Sequence, residues 1–300
     1  MDITDKYLAS IGIARDSIGK PSIDDLNRIH HAHITTYAYN SIRVLRGSDV
    51  HELPADAFDD LVACKIGGIC AEHCSLLMAV LRDLGYDVSV GAGEVWVGYW
   101  SPPLPHRSIV VTLNGERYIS DAGHTLRFPG VFKLEHGVDQ LLPDGTIIVM
   151  TCKRDAADGH EVWTVNTRSQ GDGEIKPIHR VHVREFTREE LDGAVDWLFT
   201  EESPFPYGWL LQIVTEDLSN ITLAAGSWAG KGAPADCAKY VVRPPNGAEA
   251  ATEYIPLSDV HRLEALIRKV FHVDMPPFGT VEEEQTLRSS AQKPEATPLD

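Results

Sequence analysis

Apolar residues recur at helical spacing through roughly the first third of the chain and at alternating spacing after it. Tyr7, Leu8 and Ile11 share one side of a short helix that ends near Gly12. Pro21-Ser22 opens a second helix, where Leu26, Ile29, His30 and His33 share a face and Ser22 and Asp25 have capping-box spacing, with aspartate in place of the usual Glu or Gln. A third is expected after Pro54, through Phe58, Leu61 and Val62. A fourth runs Leu76, Leu77, Val80, Leu81 and Leu84 and stops at Gly85, a C-cap glycine. From Tyr86 the period changes. Val88, Val90, Val95 and Val97, then 105–113 with 116–121, then 146–153, 160–166 and 180–186 read as strands, separated by turn signals such as Asp144-Gly145 and Asp158-Gly159. Closely spaced antiparallel strands of this kind predict a small barrel or curled sheet.

Thr187-Arg188-Glu189-Glu190 is a capping box that opens a linking helix through Leu191, Ala194, Val195 and Leu198. Alternation returns at 209–214, 220–224 and 239–242, and a last helix is predicted over 259–271 with Leu263, Leu266, Ile267 and Val270 inward. The expected class is therefore α+β: an N-terminal helical bundle over 1–86, a central antiparallel β-barrel over 87–186, and a linking helix with a C-terminal α/β unit over 187–278. The segment 279–300, with Glu282-Glu283-Glu284 and little apolar content, reads as a disordered tail.

Two of these elements carry candidate chemistry. In Lys65-Ile66-Gly67-Gly68-Ile69-Cys70, paired glycines bring the backbone into a tight approach just before the fourth helix, which puts Cys70 at or near its N-terminus. Free N–H groups and the positive end of the helix dipole there favour a thiolate, the nucleophilic form of cysteine. Downstream, Asn114-Gly115 is the two-residue turn of a tight hairpin, so that Leu113 faces Glu116 and Ser108 falls opposite Asp121. His106 then projects from the same face as Asp121, a diagonal neighbour about 7–8 Å away before the side chains reach toward each other. A carboxylate so placed fixes the imidazole tautomer and supports its charged form, letting His106 take the proton of Cys70. Glu72, in the first turn of the same helix, reads as a supporting charge at the dipole.

Composition narrows the setting. Three hundred residues with 43% hydrophobic content suffice for a sizeable core, and a net charge of −17 argues against nucleic acid and anionic membrane as partners. There is no apolar run of membrane-spanning length, and Met1-Asp2-Ile3-Thr4-Asp5 lacks the basic and apolar regions of a signal peptide, so a cytoplasmic protein is expected. Five cysteines, an odd number spread along the chain, fit a reducing compartment better than a disulfide framework. Cys64, Cys70, His73 and Cys74 cluster locally, but with no second ligand arm near Cys152 or Cys237 no metal is expected.

The ordered set Gly67-Gly68-Ile69-Cys70-Ala71-Glu72, His106-Arg107 and Asp121-Ala122-Gly123 resembles the arylamine N-acetyltransferases. Tyr7-Leu8-Ala9-Ser10-Ile11-Gly12, the segment from Leu26 to His33, and Ser203-Pro204-Phe205 with Leu211-Gln212 extend the resemblance over most of the chain. It implies Cys70, His106 and Asp121 as a catalytic triad, a C-terminal unit that acts as a lid, and ping-pong acetyl transfer from acetyl-CoA to an arylamine or arylhydrazine through an acyl-cysteine. The chain departs from the family at Tyr37-Ala38-Tyr39-Asn40, where Pro-Phe-Glu-Asn is usual, and at Ile66, where Arg precedes the glycines. An ion pair replaced by apolar packing is the expectation there. His124-Thr125 stands for Phe-Gly and Cys74 for Asn. By the same resemblance Gly123, His124 and Thr125 are candidates for the acyl and coenzyme pocket; Tyr37, Tyr39, Phe128 and Phe205 are candidates for the acceptor pocket. Two alternatives stay open: an amide synthase that releases a longer acyl chain from a carrier-protein thioester, and a cysteine hydrolase in which water takes the acyl group.

Overall fold

Helices α1 (Ile3–Ser10) and α2 (Ile23–Thr36) form where the apolar stripes predict them, and Ser22 caps α2 by accepting the Asp25 N–H. The computed structural model describes residues 2–274 apart from Pro103, Gln170 and Asp172, so the acidic tail expected over 279–300 lies outside the described residues. After α2 come β1 (Tyr39–Asn40), α3 (Ile42–Leu45), α4 (Pro54–Phe58) and α5 (Cys70–Asp83). Gly85 follows α5 at φ +88°, a conformation that suits a residue without Cβ. The faces of α1, α2 and α5 meet in a core built from Tyr7, Leu8, Leu26, Ile29, Leu76, Leu77, Val80 and Leu81.

The alternating stretch folds into β2 (Asp87–Gly93), β3 (His106–Leu113), β4 (Glu116–Ser120), β5 (Phe132–Lys133), β6 (Asp139–Leu141), β7 (Ile147–Arg154), β8 (Glu161–Arg168) and β9 (Ile175–Val183). They make one antiparallel sheet in the order β5-β4-β3-β2-β9-β8-β7-β6. Its two edges approach each other: the Gln140 side chain of β6 accepts the Lys133 N–H of β5 at 2.6 Å and donates back to the Lys133 carbonyl at 2.8 Å. The sheet is thereby nearly closed into a barrel around Val110, Ile119, Phe132, Ile148, Met150, Val165 and Val181. Asn114 and Gly115 both have positive φ, as the two-residue turn demands, and Leu113 pairs with Glu116 as the spacing predicts.

The strands differ from the sequence reading in three respects. Val95 and Trp96 make only isolated bridges, to His179 and Trp100, instead of a strand. β9 begins at Ile175 rather than near residue 180, because a bulge accommodates Pro177: Asn166 faces Pro177 while Val165 faces His179. The very short β1, β5 and β6 and the polar strand β13 (Ala251–Pro256) carry no periodic signal long enough to read. The remaining elements are α6 (Arg188–Trp197), which has the capping box at Thr187 and Glu190, β10 (Gly208–Val214), β11 (Asn220–Gly226), β12 (Cys237–Arg243) and α7 (Val260–Lys269). The second sheet has the order β1-β10-β11-β12-β13, so Tyr39 and Asn40 of the N-terminal stretch pair with Gln212 and Leu211. No described helix is long and apolar enough to cross a membrane.

Candidate active site

Cys70 is the first residue of α5 and is buried. The helix start is held by Glu72, whose carboxylate accepts the N–H of Ile69 at 3.0 Å and of His51 at 3.1 Å. Burial raises the Glu72 pKa, and Arg43 together with these N–H groups opposes that rise. Arg43 also pairs with Asp60 at 2.5 Å, and Asp60 meets His51 at 2.6 Å. This buried charge cluster escaped the sequence reading, since its members lie on separate elements with no common spacing. Upstream, Gly67 has φ +71°, and a Cβ there would stand 2.8 Å from the Ala38 carbonyl. Only glycine lets that loop lie against the β1 segment.

His106 opens β3 and Asp121 follows β4, so the hairpin register brings them together. His106 Nε2 donates to Asp121 at 2.9 Å from Oδ1 and 3.1 Å from Oδ2. The other imidazole nitrogen is left for Cys70, whose side chain is also a hydrogen-bond partner of the ring. Burial works against a charge on His106, but the Asp121 carboxylate and Cys70 overcome it and raise its pKa to about 10. Asp121 has no exposed surface; burial alone would raise its pKa, and His106 and His179 hold it well below the usual carboxylate range. Gly123 places the turn after Asp121 directly on the nucleophile, since a Cβ at this position would stand 2.5 Å from the Cys70 Cα.

Two further buried imidazoles surround this pair. His124 stands edge-on to His106 with ring centroids 4.9 Å apart and stacks on His179 at 4.9 Å and on Phe128 at 5.4 Å. Burial, with His106 beside it, lowers the His124 pKa to about 3. His179 Nε2 lies 3.2 Å from Asp121 Oδ2. Ligand-type nitrogens of His106, His124 and His179 fall within 4.8 Å of one another. His124 Nδ1 accepts the Leu126 N–H at 3.0 Å and His106 Nε2 donates to Asp121, while His179 Nε2 faces Asp121 Oδ2 without meeting hydrogen-bond geometry. His179 was missed because nothing in Ile178-His179-Arg180 separates it from any other strand histidine.

The pocket candidates are distributed differently. Tyr39 is buried in an apolar cluster with Ile69, Ala71, Leu198 and Phe205, and the thiol and Glu72 are near enough to add to the effect of burial in raising its phenol pKa. An apolar environment therefore surrounds the position where the family's glutamate is expected. Ile66 is half-buried and gives its carbonyl to Asn40 Nδ2 at 2.6 Å. Phe205 also contacts Trp228 edge-on. Tyr37 bonds Ser10 and lines a separate cavity of about 440 Å³ with Thr35, Lys65 and Val273. Phe128 lines a cleft of about 700 Å³ whose walls include Arg168, Lys176, Asn220 and Arg243. Of the loop candidates, Gly123 packs on Cys70, His124 fills the space between His106 and His179, and Thr125 is half-buried. Arg127 locks this loop to the end of α2, donating to the carbonyls of Ala122 at 2.5 Å, Ile34 at 3.0 Å and Tyr37.

A family model described as N-acetyltransferase matches residues 22–276. The arylamine N-acetyltransferase of Mycolicibacterium smegmatis is 36% identical over 141 residues, 44% of this chain and 50% of that protein. A Salmonella typhimurium protein described as arylamine N-acetyltransferase / N-hydroxyarylamine O-acetyltransferase is 27% identical over 158 residues, 49% of this chain and 54% of that protein. The matched stretch thus spans about half the length of these curated relatives. Among solved structures, the Salmonella typhimurium arylamine N-acetyltransferase superposes with a TM-score of 0.76 at 18% identity, covering 97% of this chain and 99% of that one. The Mycobacterium abscessus enzyme gives 0.75 at 19%, covering 95% and 93%. These superpositions show a common fold.

Proposed function

The chain belongs to the arylamine N-acetyltransferase family, and from that premise we propose that it moves an acetyl group from acetyl-CoA to an arylamine, arylhydrazine or related amine through an acyl-cysteine on Cys70. The observation that carries the reading is the His106 imidazole, which has Asp121 on Nε2 and Cys70 as its other partner. In the first half-reaction the Cys70 proton passes to His106 and the sulfur attacks the thioester carbonyl. The tetrahedral oxyanion is held by first-turn N–H groups of α5, which have no intrahelical acceptor, each worth on the order of 3–4 kcal/mol. Collapse expels the coenzyme thiolate, which takes the proton back from His106. In the second half-reaction the amine attacks the acyl-cysteine, His106 accepts the amine proton, and Cys70 leaves as the thiolate.

The cleft beside Phe128 suits the donor. Phe128, which stacks on His124, lines it together with Arg168, Lys176 and Arg243 and with Asp144 and Glu174; Arg168 pairs with Asp139 and Lys176 with Glu174. Coenzyme phosphates would meet Arg243 there, and Arg168 and Lys176 on exchanging their present carboxylate partners.

The test is intact-mass spectrometry after incubation with acetyl-CoA, followed by addition of an arylamine. An acetyl increment mapped to Cys70 that disappears when the amine is added, with release of one thiol per turnover, supports the proposal. Retained turnover in Cys70→Ser overturns it. Loading only by a longer acyl thioester would redirect the reading to an amide synthase, and rapid loss of the acyl group to water without amine would redirect it to a hydrolase.

A further inference from the structure

Asp121 has two carboxylate oxygens and two imidazoles. His106 approaches from β3, and His179 from β9, its ring edge-on to that of His106 with centroids 4.9 Å apart, brings Nε2 to 3.2 Å from Oδ2. Both His179 and Asp121 have no exposed surface. Neither ring nitrogen of His179 has a partner that satisfies hydrogen-bond geometry, an unfavourable state for a buried polar group unless relieved. Asp121 Oδ2 lies at the distance that relieves it. The placement is built into the strand: the bulge beside Pro177 ends immediately before His179, whose residue faces Val165 inside the barrel. His124 then stacks on the ring at an interplanar angle of 28° and holds its plane.

We propose that His179 is a positioning residue for the triad: its Nε2–H donates to Asp121 Oδ2 while His106 Nε2–H engages Oδ1, so that the carboxylate is gripped on both oxygens. No proton is transferred. Asp121 stays ionised, His179 stays neutral, and the second donor stops the carboxylate from turning about its Cβ–Cγ bond, so that the tautomer and tilt of His106 are fixed before a thioester arrives. The inference rests on the acyl-cysteine reading for its catalytic consequence, and for the hydrogen bond on the 3.2 Å separation of two fully buried groups, one of them otherwise unpartnered.

The experiment compares His179→Leu, which keeps similar volume without a donor, with His179→Gln, which restores an N–H at comparable reach. The readouts are the pH profile of Cys70 alkylation by iodoacetamide, and kcat and KM with acetyl-CoA. In His179→Leu, kcat is expected to fall about tenfold to a hundredfold with little change in KM. Its alkylation profile should move toward that of Asp121→Asn, and His179→Gln should recover most of both. A folded His179→Leu protein with the wild-type profile and kcat overturns the proposal. Nitrogen-edited NMR of the wild-type imidazoles supplies a second readout that does not depend on the variant folding: a hydrogen-bonded His179 Nε2–H signal that shifts in Asp121→Asn supports the proposal, and its absence from the wild type overturns it. If wild-type Cys70 takes an acyl group from no thioester, the acyl-transfer reading fails, while the alkylation profile and the NMR signal still decide the role of His179.

Discussion

Gly123 and Cys70 are in backbone contact, with the space for a Gly123 Cβ only 2.5 Å from the Cys70 Cα and 3.0 Å from its Cβ. The turn that carries Asp121 therefore sets the position of the nucleophile as well as that of the histidine. Gly123→Ala must push α5 and the loop apart. The expected outcome is a loss of about 1–3 kcal/mol in stability and roughly 10²-fold in kcat/KM. Urea unfolding and steady-state kinetics check it, and an alanine variant with native rates would show that the two segments separate without consequence.

Asp121→Asn removes the charge that offsets the burial of His106. Without it the imidazolium loses its main support, and burial draws the His106 pKa down from about 10. Acylation of Cys70 should slow by roughly 10³–10⁴-fold at neutral pH. The profile of Cys70 alkylation by iodoacetamide against pH should differ from that of the wild type and be slower at neutral pH, because the imidazolium beside the sulfur loses its support. Coincident profiles would remove Asp121 from the proposed triad.

How much of this was legible in the sequence depended on the range of each interaction. The Cys70 helix, the Ser22 cap, the Thr187–Glu190 capping box and the His106–Asp121 register follow from local spacing, because helix and hairpin geometry repeat within a few residues. His179 reaches Asp121 only through the strand order β4-β3-β2-β9 of a curled sheet and a bulge at Pro177, and no period in the chain encodes either. The Arg43, Asp60 and Glu72 cluster and the Arg127 clamp likewise join distant elements. Their charged side chains would ordinarily be assigned to the surface. The Tyr39–Asn40 strand is too short to show alternation, and it forms because β10 offers it an edge.

Five buried imidazoles, those of His30, His33, His73, His124 and His179, have pKa values lowered first of all by desolvation, to about 4 for His30 and about 3 for His124. In the unfolded chain each takes up a proton near pH 6.5. Below that pH the unfolded state binds more protons than the folded state, so stability is complete above pH 6.5 and falls as pH drops toward the folded values. The slope approaches roughly 1 kcal/mol per pH unit for each group. Asp121 adds a loss of the same sign below about pH 4, its unfolded value. His106, with its raised pKa, has the opposite sign: its contribution is complete below pH 6.5 and disappears as pH rises through about 10. Melting temperature should therefore fall steeply between pH 6.5 and about pH 5, and calorimetry should register net proton uptake on unfolding. A melting temperature constant over that interval would contradict the neutral burial of these rings.

Behind Cys70 runs a directed chain of hydrogen bonds. Tyr7 Oη lies 2.9 Å from His33 Nδ1, His33 Nε2 lies 2.7 Å from His73 Nδ1, and His73 Nε2 lies 3.3 Å from the Ala38 carbonyl. The carbonyl can only accept, so His73 Nε2 donates and its Nδ1 accepts from His33; Tyr7 then donates to His33. One assignment satisfies every bond, and it ties α1, α2 and α5 to the β1 segment without a charge. Tyr7→Phe leaves one acceptor unpaired and should cost about 1–2 kcal/mol, whereas His33→Phe strands groups on both sides and should cost about 2–5 kcal/mol. The double variant should cost less than the two added together, because removing His33 already deprives Tyr7 of its acceptor. Equilibrium denaturation of the three proteins measures this coupling, and strict additivity would mean that the chain does not act as a unit.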